Sequence, residues 1–333
     1  MRGIKIIGAG MYVPEKEADN DWFSTILDTN DEWIYSRTGI RARRISVDKP
    51  NFYMAGEAAK AAVADSGIDP AEIDLVLAAT CSPDFYYPAL SCLVQHETGA
   101  VNAAAFDINS ACTGFINALD TASRFLEDSD YRNILVVASE RLAPHCDYTD
   151  RTASILFGDG AGAAVVTRSD KPMWSYLSAK GDYFNALYCK IDHSRSNCPL
   201  IAGKDALPEG IIDTEAKSHF LQMNGKAVYK FAVEAMETAV NKVLAKAGLG
   251  IDDIDLYIPH QANSRIIESA VKGLGLPVDK VYVNLERRGN TSSACIPTCL
   301  AELKQAGRIK DGMTICLVGF GAGLTSGAVV FNQ

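Results

Sequence analysis

Apolar and polar positions along this chain fall into two alternating rhythms. Ala103 to Ile108 form a largely apolar run of strand length, and in the segment Thr113 to Glu127 the positions Phe115, Ile116, Leu119, Ala122, Phe125 and Leu126 recur at helical spacing. The pattern predicts a buried strand, a sharp corner and a helix, with Cys112 at the corner. Ala-rich helices are predicted over Ala55 to Asp65 and Ala227 to Lys246, and apolar strands over Ile134 to Ala138 and Ile315 to Gly319.

These rhythms repeat. Ser66 to Leu77 can be laid over Ala247 to Ile258, with the same spacing from Gly to Ile-Asp-Leu in both. Ser110-Ala111-Cys112 heads a predicted helix in the first half, Ser293-Ala294-Cys295 heads one in the second, and Gly158 to Val166 lies over Gly319 to Leu324. The offset stays near 180 residues, far longer than the period of a solenoid. The reading is a duplicated α/β body: residues 1–172 form one half, 173–215 a connecting or lid region, and 216–333 the other half. Alternating helices and strands give two mixed sheets with helices packed on and between them, and a site is expected where the halves meet.

Composition narrows the class. At 333 residues the chain can bury a large core, and a net charge of −9 argues against general nucleic-acid binding. Met1 to Ile7 reads as a first strand and not as a signal peptide, and no apolar run would span a bilayer, so a soluble cytoplasmic protein away from membranes is expected. The nine cysteines are odd in number, scattered and free of CxxC pairs, which predicts neither a disulfide framework nor a zinc site.

Three short stretches carry the chemistry. Cys112 at a helix N-terminus would have its thiolate favoured by the free N–H groups and the helix dipole, lowering a pKa otherwise near roughly 8.5. Its own N–H would face a bound carbonyl oxygen. Taken alone, a Cys beside Ala and Gly equally fits a small packed residue. Pro259 to Asn263 supplies His260 and Arg288 to Ser293 supplies Asn290; alone these fit a hydrogen-bonded histidine and an ordinary Gly-Asn-Thr turn. Together a thiol, an imidazole and a carboxamide outline a carbon–carbon bond-forming site. His96, His145, His193 and His219 lack such neighbours and read as structural or solvated. Cys295, laid over Cys112 in the repeat, is the rival nucleophile, although Ile296-Pro297 and its closeness to Asn290 suit a helix start packed beneath the site.

Asn30 to Ile34 with Arg37 to Arg41, Ser110-Ala111-Cys112, Phe157 to Ala163, His260 to Asn263, Gly289 to Ser292 and Gly319 to Gly323 share a further property. On these motifs the chain resembles the thiolase-fold condensing enzymes, and among them β-ketoacyl-acyl carrier protein synthase III, nearly end to end. The resemblance implies a layered α-β-α-β-α thiolase-like fold. It also implies an acyltransferase that starts fatty acid synthesis by decarboxylative Claisen condensation of an acyl-CoA with malonyl-acyl carrier protein, through an acyl group on Cys112. The Cys112 and Ala322 N–H groups would form the oxyanion hole, and His260 and Asn290 would donate to the enolate. Trp33 and Arg151 would sandwich the CoA adenine with Arg37 near its phosphates, and Lys226, Tyr229 and Asn263 would complete the CoA contacts. Leu142, Phe157 and Tyr87 are the implied acyl pocket, with Tyr87 coming from the partner subunit of a homodimer. Lys230, Arg265 and Lys272 are the implied docking points for the acidic carrier protein; Arg265 and Lys272 are seven apart, on one face of a predicted helix. No metal or prosthetic cofactor is implied, because the coenzyme A thioesters are themselves activated.

Departures from the family pattern sit near the expected substrate entry. Lys226 stands where the family commonly has Asn, Tyr229 where it has Phe, and the stretch from about His193 to Asp213 reads as a longer loop or lid before Met223-Asn224-Gly225. They support a rival reading, the same fold in specialised metabolism with an unusual acyl donor or with malonyl-CoA as acceptor. A non-catalytic partner subunit is a third reading; such subunits lose the nucleophile, and Cys112, His260 and Asn290 are all present. A degradative thiolase is disfavoured by the lack of a Gly-His-Pro motif and of a second Cys in a C-terminal Cys-x-Gly loop.

Overall fold

In the computed structural model, which describes residues 3–181, 186–190 and 220–333, the first half of the chain alternates strand and helix as the patterning predicts. It runs β1 (Ile4–Tyr12), β2 (Lys16–Asp19), α1 (Asn20–Ser24), α2 (Asp31–Thr38), β3 (Ala42–Ile45), α3 (Asn51–Ser66), β4 (Leu75–Ala79), α4 (Leu90–Thr98), β5 (Ala104–Ile108), α5 (Gly114–Phe125), β6 (Asn133–Glu140) and β7 (Gly160–Arg168). The second half has β8 (Trp174–Ala179), β9 (Leu187–Tyr188), β10 (Gln222–Met223), α6 (Gly225–Ala247), β11 (Leu256–Pro259), α7 (Ser264–Leu274), α8 (Leu285–Arg288), α9 (Cys295–Gln305), β12 (Thr314–Gly321) and β13 (Thr325–Asn332). The expected loop from His193 to Asp213 lies outside the described residues.

Two mixed sheets follow, ordered β1-β7-β6-β4-β5 and β8-β13-β12-β11. β4 pairs parallel with β6 and β11 parallel with β12, while β7 and β13 run antiparallel to their neighbours. The second sheet is thus the first repeated without its fifth strand, whose place is held by a single parallel bridge from Tyr257 to Val281. β8 belongs to this sheet, so the C-terminal sheet begins inside the stretch assigned above to the connection.

Burial shows the layers. One cluster joins β-strand residues of both sheets to Phe115, Ile116 and Leu119 of α5 and to Ile296, Cys299 and Leu300 of α9, so these two helices lie between the sheets. A second cluster packs α3 and α4 on the outside of the first sheet, and a third packs α6 and α7 on the outside of the second. The result is the five-layered α-β-α-β-α arrangement of the thiolase fold. Gly67 and Gly248 end α3 and α6 at φ 72° and 69°, a left-handed conformation glycine adopts without a Cβ penalty.

Three expectations are corrected. β5 is an edge strand among the described residues, and with no described neighbour beyond it Ala104, Phe106 and Asp107 are exposed where a buried strand was expected. Cys295 is not the counterpart of Cys112. Leu75 and Leu256 open β4 and β11 and are 181 positions apart. The left-handed residues Ala111 (φ 44°) and Ser292 (φ 49°), which open the two helix corners, keep that spacing. Cys112 therefore matches Ser293, and Cys295 matches Gly114; the Ser-Ala-Cys overlay slips two residues because sequence identity there is accidental. Gly158 to Val166 likewise matches β13 and not Gly319 to Leu324, because Gly319 and Gly321 lie at the end of β12, the counterpart of β6.

Candidate active site between the two halves

Cys112 stands where β5 hands the chain to α5. Ala111 takes a left-handed φ of 44°, uncommon for a residue with a Cβ, and the tight turn Ala111–Thr113 then leads into Gly114. A Cβ on Gly114 would lie 2.9 Å from Ala79 Cβ, so the glycine lets α5 seat against the end of β4. The Thr113 hydroxyl closes the corner through Ser110 O at 2.8 Å and Thr325 Oγ1 at 3.0 Å. The corner packs against β12 and against the equivalent corner Ser292–Ala294 of the other half.

His260 follows β11, and its N–H bonds Val318 O of β12 at 2.8 Å. Asn290 follows α8 and Gly289, and sits in a parallel bridge to Phe157: its N–H donates to Leu156 O (2.9 Å) and its carbonyl accepts from Gly158 N–H (3.0 Å). The Asn290 side-chain oxygen accepts the Ser292 N–H at 2.9 Å, and its Nδ2 donates to none of the described residues. Gly319 and Gly321 draw the groups together. A Cβ at Gly319 would be 3.6 Å from both Cys112 O and His260 Cβ; one at Gly321 would be 2.8 Å from Cys112 N. Cys112 and His260, one from each half, thus meet at the glycine end of β12, and Asn290 is joined to them through Ser292, whose N–H it accepts and whose side chain hydrogen-bonds the Cys112 thiol.

Electrostatics at this centre differ from the expectation. Burial pushes the Cys112 thiol up to about 12, with the nearby Glu140 carboxyl adding to the rise and a hydrogen bond from Ser292 opposing it. Burial thus favours the neutral thiol in the free protein, against the lowering expected from a helix N-terminus. Burial holds the His260 imidazole down to about 3, so it is neutral at physiological pH. Its Nδ1 lies 2.9 Å from Cys295 Sγ, and Phe320 meets the ring edge-on at 5.2 Å between centroids.

Beneath the centre is a carboxyl that the sequence reading missed. Glu140, fully buried, accepts from Ser82 and Ser293 hydroxyls at 2.6 Å each and from the Cys81 N–H at 3.1 Å. Burial raises its pKa despite these donors. A charged residue ending the apolar run Ile134 to Ser139 was the available signal.

The outer residues divide. Trp33 carries two guanidinium groups over its ring, Arg37 at 4.3 Å and Arg151 at 4.6 Å, and Arg151 also donates to Asp28 O. Asn263 is engaged at both ends, its Oδ1 capping α7 through the Arg265 N–H (2.9 Å) and its Nδ2 donating to Arg37 O (2.9 Å). Lys226 and Tyr229 are exposed on the first turns of α6, and the Tyr229 hydroxyl bonds Ser269 of α7 at 2.8 Å. Lys230, Arg265 and Lys272 are exposed on α6 and α7, but the Arg265 guanidinium is tied to Ser36 O at 2.7 and 3.0 Å. Leu142 and Phe157 are buried in one apolar cluster with Phe320 and Leu324. Tyr87 is 86% exposed and is not brought to Cys112 within this chain. Ala322 lies in the turn after Gly321, its carbonyl accepting from the Thr325 hydroxyl at 3.2 Å.

Two family models match the chain, one described as 3-oxoacyl-[acyl-carrier-protein] synthase III over residues 106–182 and one as the C-terminal part of that enzyme over 244–333. A β-ketoacyl-[acyl-carrier-protein] synthase III of Clostridium acetobutylicum is 45% identical, covering 100% of this chain and 99% of the relative. Among solved structures, the 3-oxoacyl-[acyl-carrier-protein] synthase III of Aquifex aeolicus VF5 is similar with a TM-score of 0.89 at 39% identity, covering 99% of this chain and 100% of that one. The priming β-ketosynthase of the R1128 polyketide pathway is similar with a TM-score of 0.89 at 37% identity, covering 100% and 97%.

Proposed function

This chain belongs to the β-ketoacyl-[acyl-carrier-protein] synthase III family, and on that premise we propose how its residues carry out the condensation that initiates fatty acid synthesis. The Cys112 sulfur attacks the thioester carbon of an acyl-CoA, the oxyanion is held by the N–H groups of Cys112 and Ala322, and coenzyme A leaves with the proton that the thiol gives up. A malonyl thioester then loses carbon dioxide. The enolate oxygen that results takes hydrogen bonds from His260 and Asn290, and the carbanion attacks the acyl group on Cys112 to release a β-ketoacyl product and the Cys112 thiolate, which takes up a proton from solvent to restore the thiol. A neutral imidazole and a carboxamide suit this role, since each donates without carrying charge, and such donors in a dry site contribute on the order of 3 kcal/mol apiece. The thioesters supply all the activation this path needs, so it calls for no cofactor.

The observation that carries the reading is the meeting of Cys112 and His260, from opposite halves, at Gly319, with Asn290 joined to the Cys112 thiol through Ser292. Trp33 with Arg37 and Arg151 would receive the CoA nucleotide, Arg151 moving off the indole to admit the adenine. Lys226, Tyr229 and Asn263 would flank the CoA arm, and Leu142 and Phe157 would line the acyl pocket. Lys230, Lys272 and Arg265 would dock the carrier protein. A homodimer is supported by the exposed edge strand β5 with Phe106, and by Phe85, Tyr86 and Tyr87, all exposed on one chain; there Tyr87 would close the partner's acyl pocket. No helix among the described residues is long and apolar enough to cross a membrane.

Intact-mass spectrometry after brief exposure to a panel of acyl-CoAs tests the path. An acyl adduct on the wild type but not on Cys112→Ala supports it, and an adduct that survives in the variant overturns it. The likeness to a priming ketosynthase favours a second reading, an unusual acyl donor, which the same panel separates from a short-chain starter by the donor that loads fastest.

A further inference from the structure

Cys295 is the first residue of α9 and is fully buried, its sulfur 2.9 Å from Nδ1 of His260 and 3.4 Å from the nitrogen of the Gln261 N–H. The Gln261 N–H can only donate, so the sulfur is the acceptor there. That leaves one S–H to place. Among the described residues no acceptor other than His260 Nδ1 lies within hydrogen-bond reach of it. If Nδ1 carried the imidazole proton instead, the sulfur would accept twice and the S–H would be buried without a partner, an arrangement that folded proteins avoid. The neighbouring elements supply no alternative partner for the ring: Phe320 of β12 meets it edge-on, and His260 Nε2 bonds none of the described residues.

We propose that Cys295 is a positioning residue, whose S–H donates to His260 Nδ1 and thereby fixes the imidazole proton on Nε2. This rests on the reading of His260 as the neutral donor to the enolate, and it names the group that makes His260 a donor at that nitrogen. Burial supports it from both sides, raising the thiol pKa and depressing that of the imidazole, so that neither group is charged. The role also explains why the cysteine sits at the mouth of α9, where its match in the first half is Gly114. The first half has the nucleophile corner and needs room there; the second half has the histidine and needs a small, polarisable donor beneath it. A serine would supply an equivalent hydroxyl donor, and an alanine would supply none.

The test is the 15N spectrum of histidine-labelled protein, with His260 picked out from the five histidines by the signal lost in His260→Gln. The wild type and Cys295→Ser are expected to carry the proton on Nε2, and Cys295→Ala to show a mixture of tautomers. In Cys295→Ala the kcat for condensation should fall on the order of 10- to 100-fold, while acylation of Cys112 by acyl-CoA keeps its rate, and Cys295→Ser should recover most of the loss. A proton on Nδ1 in the wild type, or an unchanged tautomer in Cys295→Ala, overturns the proposal. The wild-type spectrum decides even if Cys295→Ala does not fold. Full condensation activity in His260→Gln would overturn the parent reading of His260 and leave the tautomer assignment to stand on the spectrum.

Discussion

The Gly321 backbone rests against the Cys112 nitrogen so closely that a methyl group at 321 would sit 2.8 Å from that nitrogen and 3.3 Å from Cys112 Cβ. Neither partner is a flexible side chain, so the strand or the corner has to move. Gly321→Ala is expected to cost about 1–3 kcal/mol of stability and to abolish acylation of Cys112 even where the variant folds. Thermal denaturation paired with adduct formation checks this; a fully active variant would mean the corner can shift freely.

The Cys112 thiol, held near 12 by burial, is expected to react slowly with a neutral alkylating agent at neutral pH and to speed up continuously through pH 9 without a plateau. Mass-resolved rates with iodoacetamide, using exposed Cys92 as an internal reference, would show it. A plateau reached below pH 7 would restore the helix N-terminus as the dominant influence.

His260 gives a pH dependence whose sign can be worked out. Its folded pKa, about 3, is below the unfolded value of about 6.5, so between these pH values the unfolded chain holds a proton that the folded one does not. Stability from this group is therefore complete above about pH 6.5 and declines as pH falls towards 3, by at most about 4–5 kcal/mol. The stability difference between the wild type and His260→Gln should shift in that direction on acidification. For the same reason the condensation rate should lack an acid limb near pH 6.5 that belongs to His260.

Trp33 presents its ring to Arg37 and Arg151, so Trp33→Ala should raise the KM for acyl-CoA roughly 10-fold, the scale of one desolvated cation–π stack, with kcat little changed. Equal KM values with the full CoA ester and with a truncated pantetheine thioester, in both proteins, would place the nucleotide elsewhere.

For carrier docking, the structure selects which charges to reverse. Arg265 also holds Ser36 O, so its reversal disturbs the link between α2 and α7. Lys230→Glu with Lys272→Glu is the cleaner pair. Activity with malonyl-acyl carrier protein is expected to fall on the order of 10-fold or more, and acyl-CoA loading of Cys112 to remain. Loss of both activities would indicate a general defect and not docking.

The sequence by itself determined the elements that carry the duplication and the site. Helical spacing placed α3, α5 and α6 to within a few residues, the apolar runs gave β6 and β12, and the repeated Gly to Ile-Asp-Leu block showed the duplication. It also supplied Cys112, His260 and Asn290 as a set, because a thiol, an imidazole and a carboxamide in three short motifs are chemical facts that need no coordinates. These are local properties, set by the periodicity of a helix or strand and by side-chain chemistry.

What only the tertiary structure decided depends on which residues meet across long distances in the chain. The exposed face of β5 follows from its place at a sheet edge, which the run Ala103 to Ile108 does not encode. The correct pairing of Cys112 with Ser293 follows from the backbone at Ala111 and Ser292, where similar letters two residues away misled the overlay. The raised pKa of Cys112 comes from desolvation and Glu140, and the neighbour of the His260 Nδ1 is a sulfur 35 positions further along the chain. Burial and hydrogen bonding of this kind are sums over neighbours from both halves, and those neighbours exist only once the chain is packed.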